Sequence, residues 1–235
     1  MNSKLILLCG GSGKRMRGAV ADKTLMLLAG TPVVAHSAKA FCEAFPAGTL
    51  VCVCRDDAQT EQIKSALEKV CGNAKMIFAR GGNERRDSVL NGLRAAGTQK
   101  DDLIFIHDAA RPLVNVENFV RLAESAQANG AAVLAHKCVN TIKRTAVPAS
   151  DGNAVLLEDL DRARLWEMET PQVFCGNAIL DAYEHVVAEN LTITDDVSAY
   201  TQVFKRPVAL VENKNPNPKI TVPADLKLLE LLKEI

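Results

Sequence analysis

The 235-residue chain carries 28 basic and 28 acidic residues, so its formal net charge at pH 7 is zero. A neutral chain has no global field with which to hold nucleic acid or an anionic membrane surface, and any affinity for phosphate must be built locally. The length suits one sizeable core, and a single domain over 1–235 is expected. Seven cysteines, at positions 9, 42, 52, 54, 71, 138 and 175, sit mostly inside apolar runs and read as reduced core thiols. Cys52 and Cys54 in "LVCVCRD" read as strand packing, and no zinc site is expected. The apolar run in "MNSKLILLCGG" is too short for a signal peptide or a membrane span, which points to a cytoplasmic protein.

Residues 4–8 form a continuous apolar run that stops at glycines, the pattern of a buried parallel strand feeding a loop. Thr31 and Pro32 then open a helix in which Val34, Ala38, Phe41 and Phe45 recur on one stripe. A strand at 50–54, a helix at 57–71, a strand at 75–79 and a helix at 84–96 follow. Next come a strand at 102–110 running into a loop, a helix near 115–128 and a strand at 131–136. This alternation predicts an α/β fold: an open, mostly parallel, Rossmann-like sheet with helices on both faces.

The rhythm breaks between about 138 and 160, where two β-like stretches are joined by "PASDG". That segment reads as a protruding β-arm outside the main sheet. Its apolar residues Val155, Leu156 and Leu157 need cover, which a second subunit would provide; a surface hairpin with no role is the alternative. A homodimer through the arm is the expectation. A helix at about 176–189, another after "TITDD", a strand at 207–212 and a helix opened by Thr221 and Pro223 complete the chain.

The stretch "LCGGSGKRM" (8–16) is a phosphate-loop candidate. A kinase-type loop needs Ser or Thr after its lysine, whereas Lys14 is followed by Arg15. A dinucleotide fingerprint begins with Gly11 and Gly13, but Met16 stands in place of the third glycine. Its acidic residue, Asp56 at the end of the next strand, is too distant. What remains is a loop whose glycines, Gly10, Gly11 and Gly13, let backbone N–H groups approach a triphosphate. It ends in the cations Lys14 and Arg15, with Arg17 and Lys23 beyond. Cations over the α- and β-phosphates stabilise charge that grows as pyrophosphate leaves. A nucleotidyltransferase fits this pattern, and a solvated glycine turn is the plain alternative.

Four further stretches narrow the reading: "GGNERRDSVLNGL" (81–93), "HDAARP" (107–112), "TIKR" (141–144) with "LWEMETPQVF" (165–174), and "TITDD" (192–196) with "NPKITVPADL" (217–226). With the first loop, they resemble the 2-C-methyl-D-erythritol 4-phosphate cytidylyltransferase family of the non-mevalonate isoprenoid pathway. The resemblance implies in-line attack of a polyol phosphate oxygen on the α-phosphorus of CTP, with Arg15 and Lys23 stabilising the transition state. It implies that Arg162, Lys219, Thr141 and Thr170 hold the polyol phosphate, with Thr141 and Arg162 reaching the neighbouring subunit's site if the arm crosses. Gly82, Asn83 and Ser88 correspond to the cytosine pocket, although Ser88 also fits an ordinary helix position. Asp108 contacts the ribose or magnesium, or else caps its loop, and Arg111 orients that loop or the substrate. Magnesium, or another divalent ion, is expected mainly on the CTP phosphates.

A phosphate monoester is already a dianion near neutral pH, so no general base is required. His107 accordingly reads as structural. Asp195 and Asp196 read as a helix cap outside the site. The chain departs from the family pattern at Asp22 and Thr24 beside Lys23, at Cys9 and Gly10, and at Asn83, Asn140 and Pro216. Asp22 is expected to pair with Lys23 or a neighbouring cation. The nearest rival is a ribitol 5-phosphate cytidylyltransferase; an NAD-dependent oxidoreductase and a non-catalytic nucleotide-binding protein are rivals of other classes.

Overall fold

The computed structural model describes residues 2–10, 22–148, 150–152 and 154–233. In chain order they form β1 (Ser3–Leu8), β2 (Leu27–Leu28), β3 (Thr31–Pro32), α1 (Val33–Ala44), β4 (Thr49–Cys54), α2 (Asp57–Cys71), β5 (Lys75–Arg80) and α3 (Arg85–Ala96). Then follow β6 (Leu103–Asp108), α4 (Val116–Asn129), β7 (Ala131–Lys137), β8 (Lys143–Thr145), β9 (Leu157–Asp159), β10 (Trp166–Cys175), α5 (Ala178–Ala188), α6 (Asp196–Phe204), β11 (Ala209–Glu212) and α7 (Pro223–Lys233).

Seven strands make the main sheet, in the order β11-β7-β10-β6-β1-β4-β5. All run parallel except β10, which lies antiparallel between β7 and β6. Side chains alternate across the pleat, so β1 sends Leu5 and Leu7 into one core and Ile6 into the other. On the first face Phe41 of α1, Phe105 of β6 and Phe119 of α4 meet edge-on, with centroids 5.5, 5.6 and 5.7 Å apart. Such pairs contribute roughly 0.5–1.5 kcal/mol each beyond their burial. Cys9, Cys52 and Cys54 are buried free thiols in the same core, as their apolar settings predict. On the second face α3 crosses the sheet at Gly92, where a Cβ would stand 2.6 Å from Ile6 Cγ2 and 2.7 Å from Val53 Cγ2.

The predicted α/β architecture is therefore the observed one, with two differences. The helix expected from Thr31 begins at Val33, because Thr31 and Pro32 pair with Leu27 and Leu28 across a two-residue turn. Ala29 and Gly30 take φ of 49° and 75° there, which lets the ribbon twist close. The second difference is β10, which the polar residues of "EMETPQ" concealed. Its register on β7 shifts between Met168 and Gln172, and this irregularity accommodates Pro171, which has no N–H for a ladder.

The arm is an antiparallel pair, β8 with β9, set apart from the main sheet. Arg144 pairs with Glu158 at 2.5 Å, and Lys143 pairs with Asp159. Val139, Val147, Leu156 and Leu157 stand exposed around it. It springs from the end of β7 and the start of β10. The carboxyl ends of β1, β4 and β6 meet the first half of β10 along that same edge, where open α/β sheets place their ligands.

Candidate active site

β6 delivers Asp108 to this edge with a carboxylate that is nearly buried. Lys219 Nζ lies 2.6 Å from its Oδ2 and Arg85 Nε 3.6 Å from its Oδ1. Burial pushes the Asp108 carboxyl up, but Arg85 and Lys219 outweigh it and hold the group well below the usual carboxylate range. The Asp108 backbone N–H donates to Thr170 Oγ1 at 3.1 Å.

His107, fully buried, explains how this strand end is held. Its Nε2–H donates to the Arg111 carbonyl at 3.1 Å, which leaves Nδ1 to accept from the Thr170 hydroxyl at 2.9 Å. Burial pushes the imidazole down to about 4, so it is neutral near pH 7 and serves as a structural link, as the sequence suggests. Thr170 is buried and its hydroxyl already has two protein partners. In this structure it holds the Asp108 strand end, and a contact with polyol phosphate would require exchange of one of those partners. Arg111 Nη1 donates to the Asn217 carbonyl at 2.7 Å, so it orients the loop, one of its two expected roles.

The segment before α7 closes the site. Lys219 reaches Asp108, the Ile220 N–H donates to the Ala110 carbonyl at 2.9 Å, and Lys23 Nζ donates to the Ile220 carbonyl at 2.9 Å. Lys23, Asp108, Arg111, Thr170 and Lys219 are thereby gathered in one place. Asp22 does find a neighbouring cation: its Oδ2 lies 3.6 Å from Arg55 Nη1 and also accepts from Gln59. Its Oδ1 accepts from the Thr24 N–H at 2.9 Å and the Thr24 hydroxyl at 2.7 Å.

Gly82 and Asn83 lie in the loop before α3, and Ser88 lies in the first turn of that helix. The Ser88 hydroxyl accepts from the Gly82 N–H at 3.0 Å and donates to the Glu84 carbonyl at 3.1 Å, so it braces the turn into α3. A Cβ on Gly82 would lie 2.2 Å from Asp87 Cβ, which leaves no room for another residue. Asn83 is exposed at the rim. Arg162 lies at the base of the arm, where its Nη1 donates to the Val139 carbonyl at 3.1 Å, and Thr141 is exposed two residues beyond Val139. Gly10 ends the described part of the first loop, and Gly11, Gly13, Lys14 and Arg15 lie outside the described residues.

The family model for 2-C-methyl-D-erythritol 4-phosphate cytidylyltransferase matches residues 4–234. The chain belongs to this family. Among its relatives, the chloroplastic 2-C-methyl-D-erythritol 4-phosphate cytidylyltransferase of Oryza sativa subsp. japonica is 39% identical over 228 residues, 97% of this chain and 73% of that protein. The enzyme of the same name from Geobacillus thermodenitrificans is 33% identical over 232 residues, 99% of this chain and 97% of that protein. Among solved structures, 2-C-methyl-D-erythritol 4-phosphate cytidylyltransferase from Thermus thermophilus superposes with a TM-score of 0.75 at 25% identity, covering the whole of both chains. The 4-diphosphocytidyl-2C-methyl-D-erythritol synthase of Anaerococcus prevotii superposes with a TM-score of 0.82 at 24% identity, over 100% of this chain and 99% of that one. This last likeness speaks to the fold alone.

For a cytidylyltransferase of this family the sequence reading missed one structural pair. Arg85 forks onto Asp196 at 2.7 and 2.8 Å, and the fully buried Asp196 also accepts from the Tyr183 hydroxyl. Asp195 is the residue that caps α6, accepting from the Ser198 N–H at 2.8 Å. Two consecutive acids where one suffices for a cap were the available signal.

Proposed function

We propose that this chain transfers the cytidylyl group of CTP to 2-C-methyl-D-erythritol 4-phosphate. A phosphate oxygen of the acceptor forms a bond to the α-phosphorus, the α–β anhydride bond breaks, and pyrophosphate leaves. The observation that carries the reading is the family match over nearly the whole chain, joined to the Lys23, Asp108 and Lys219 cluster at the carboxyl edge of the sheet. Arg15 and Lys23 neutralise the charge that spreads over the α-phosphoryl oxygens, which is where preorganised cations contribute most to this chemistry. Gly10, Gly11, Gly13 and Lys14 cradle the triphosphate, and Gly82, Asn83 and Ser88 at the turn into α3 take the base. Lys219, Arg162 and Thr141 fix the acceptor, while Thr170 and Arg111 hold the strand end and loop that present Asp108 beside it.

Magnesium fits this arrangement as an ion carried by the nucleotide. Among the described residues no grouping of three or more His, Cys, Asp or Glu could hold a metal. Magnesium commonly binds through substrate phosphates, water and one or two carboxylates. Asp108 is the carboxylate placed to help hold it, and the ion would offset triphosphate charge.

The arm supports a homodimer in which Thr141 and Arg162 complete the neighbour's site. From Thr170 back to Trp166, β10 carries the chain about 13 Å beyond Asp108 at some 3.3 Å per residue, and the arm lies farther still. Its exposed Leu156 and Leu157 supply apolar surface for the contact. The free thiols support a reducing, cytoplasmic setting.

The test is pyrophosphate release from the purified protein with CTP and magnesium, comparing methylerythritol 4-phosphate, ribitol 5-phosphate and no acceptor. Release with methylerythritol phosphate alone is expected, and release with ribitol phosphate alone overturns the acceptor. Mixing Lys23→Ala and Arg162→Ala proteins tests the arm. Exchange between subunits restores one intact site per heterodimer, whereas no recovery on mixing overturns the shared site.

A further inference from the structure

Behind the site lies a buried carboxylate that the reaction does not use. Glu169 precedes Thr170 at the irregular point of β10 and is only 5% exposed. Its Oε2 accepts from Asn213 Nδ2 at 2.9 Å and from Asn217 Nδ2 at 3.0 Å. Its Oε1 lies 3.0 Å from His136 Nδ1, and because a carboxylate only accepts, that nitrogen carries the proton. The other imidazole nitrogen of His136 lies 3.4 Å from Glu167 Oε2. Such burial is tolerated because the carboxylate's acceptor sites are filled.

The two asparagines belong to the irregular segment between β11 and α7 that carries Lys219. Pro216 and Pro218 flank Asn217 and offer no N–H with which to tether the segment. Asn217 supplies the anchorage. It donates to Glu169 and to the Thr170 carbonyl at 3.2 Å, while its own carbonyl receives Arg111. Two residues later Lys219 reaches Asp108, and the next residue gives its carbonyl to Lys23.

We propose that Glu169 is a positioning residue for the polyol-phosphate site: by gathering Asn213 and Asn217 it fixes the segment that presents Lys219. The proposal rests on the cytidylyltransferase reading for its substrate, but the tether itself is a property of the fold. Glutamine at 169 keeps an acceptor oxygen for both asparagines. Its amide donates to His136 Nδ1 once that imidazole takes the other tautomer, so Glu169→Gln preserves the tether and Glu169→Ala removes it.

The experiment combines steady-state kinetics with amide hydrogen exchange on full-length wild-type, Glu169→Ala, Glu169→Gln and Asn217→Ala proteins. Glu169→Ala is expected to raise KM for the polyol phosphate about tenfold while KM for CTP stays within about twofold, the split expected of lost acceptor contacts. Exchange in residues 213–220 should accelerate about tenfold with β1 unchanged, as for a local opening. Glu169→Gln should recover most of both effects, and Asn217→Ala should reproduce the acceptor effect. An unchanged acceptor KM, a parallel rise in both KM values, or unchanged exchange over 213–220 overturns the proposal. If Glu169→Ala does not fold, Asn217→Ala decides. If the wild type does not turn over methylerythritol phosphate, the assigned reaction fails and exchange alone decides the tether.

Discussion

Arg85→Ala is the perturbation whose cost follows most directly from the structure. Arg85 makes two charge-assisted bonds, at 2.7 and 2.8 Å, to a carboxylate with no solvent exposure. Removing it leaves Asp196 with the Tyr183 hydroxyl and the low dielectric of the α5–α6 packing. Breaking a buried pair from one side costs about 3–5 kcal/mol. The Arg85 side chain is 34% exposed, so water enters the vacated space, and the lower end, about 3 kcal/mol, applies. For a chain of this size that corresponds to a fall in Tm of roughly 6–12 °C. Urea unfolding of wild type, Arg85→Ala, Asp196→Asn and the double variant closes a thermodynamic cycle. Its coupling energy should be about 2 kcal/mol or more. Because Arg85 starts α3, directly after the Gly82 turn, the surviving Arg85→Ala enzyme should lose affinity for CTP more than for its acceptor. A loss in Arg85→Ala below about 1 kcal/mol, or additive single variants, would refute the reasoning.

Three further outcomes are expected. Lys219→Ala should raise the acceptor KM by about tenfold or more and release Asp108 from one of its two cations, and an unchanged acceptor KM removes Lys219 from the site. Unfolding stability should fall on acidification from pH 7 to pH 4: His107, at about 4 in the fold against 6.5 unfolded, favours the native state when neutral and loses that contribution as pH falls through this window. The loss from His107 is about 3 kcal/mol by pH 4, and His36, lowered by burial, acts in the same direction, so a flat profile in denaturant titrations contradicts the buried neutral imidazole. Ala29→Gly should stabilise the β2–β3 ribbon by about 0.5–1 kcal/mol, because Ala29 holds a positive φ that glycine adopts without strain; a drop in Tm would count against that account.

Much of this architecture was legible because apolar periodicity and capping chemistry agree locally. The helix over 57–71 stands where it was expected, and Asp56 caps it by accepting from the Gln59 N–H at 2.7 Å. β10 was not readable, since burying Glu169, Thr170 and Gln172 in a central strand depends on partners distant in sequence. Asn213 and Asn217 meet Glu169, Asp108 and His107 meet Thr170, and Asp195 meets Gln172. The same distinction governs the site. Lys219 and Lys23 stood out as cations within motifs, whereas the value of Asp196 lies in an arginine 111 positions away.

These partners also explain how a chain of zero net charge concentrates cations where phosphates are expected. Arg85 is fixed by a carboxylate that never meets solvent, so its charge belongs to the scaffold. Lys23 and Arg111 are aimed by the Ile220 and Asn217 carbonyls, neutral acceptors that orient a cation, and the Lys23 charge also reaches Asp225, whose carboxyl it helps to lower. Lys219 leans closely on the carboxylate at the strand end, which Arg85 also faces. When a phosphate dianion arrives on the proposed reading, Lys219 can turn toward it while Asp108 keeps its second cation. The resting ion pair therefore holds Lys219 near its working position, and Arg85, shared with Asp196, stays beside Asp108 when the lysine turns.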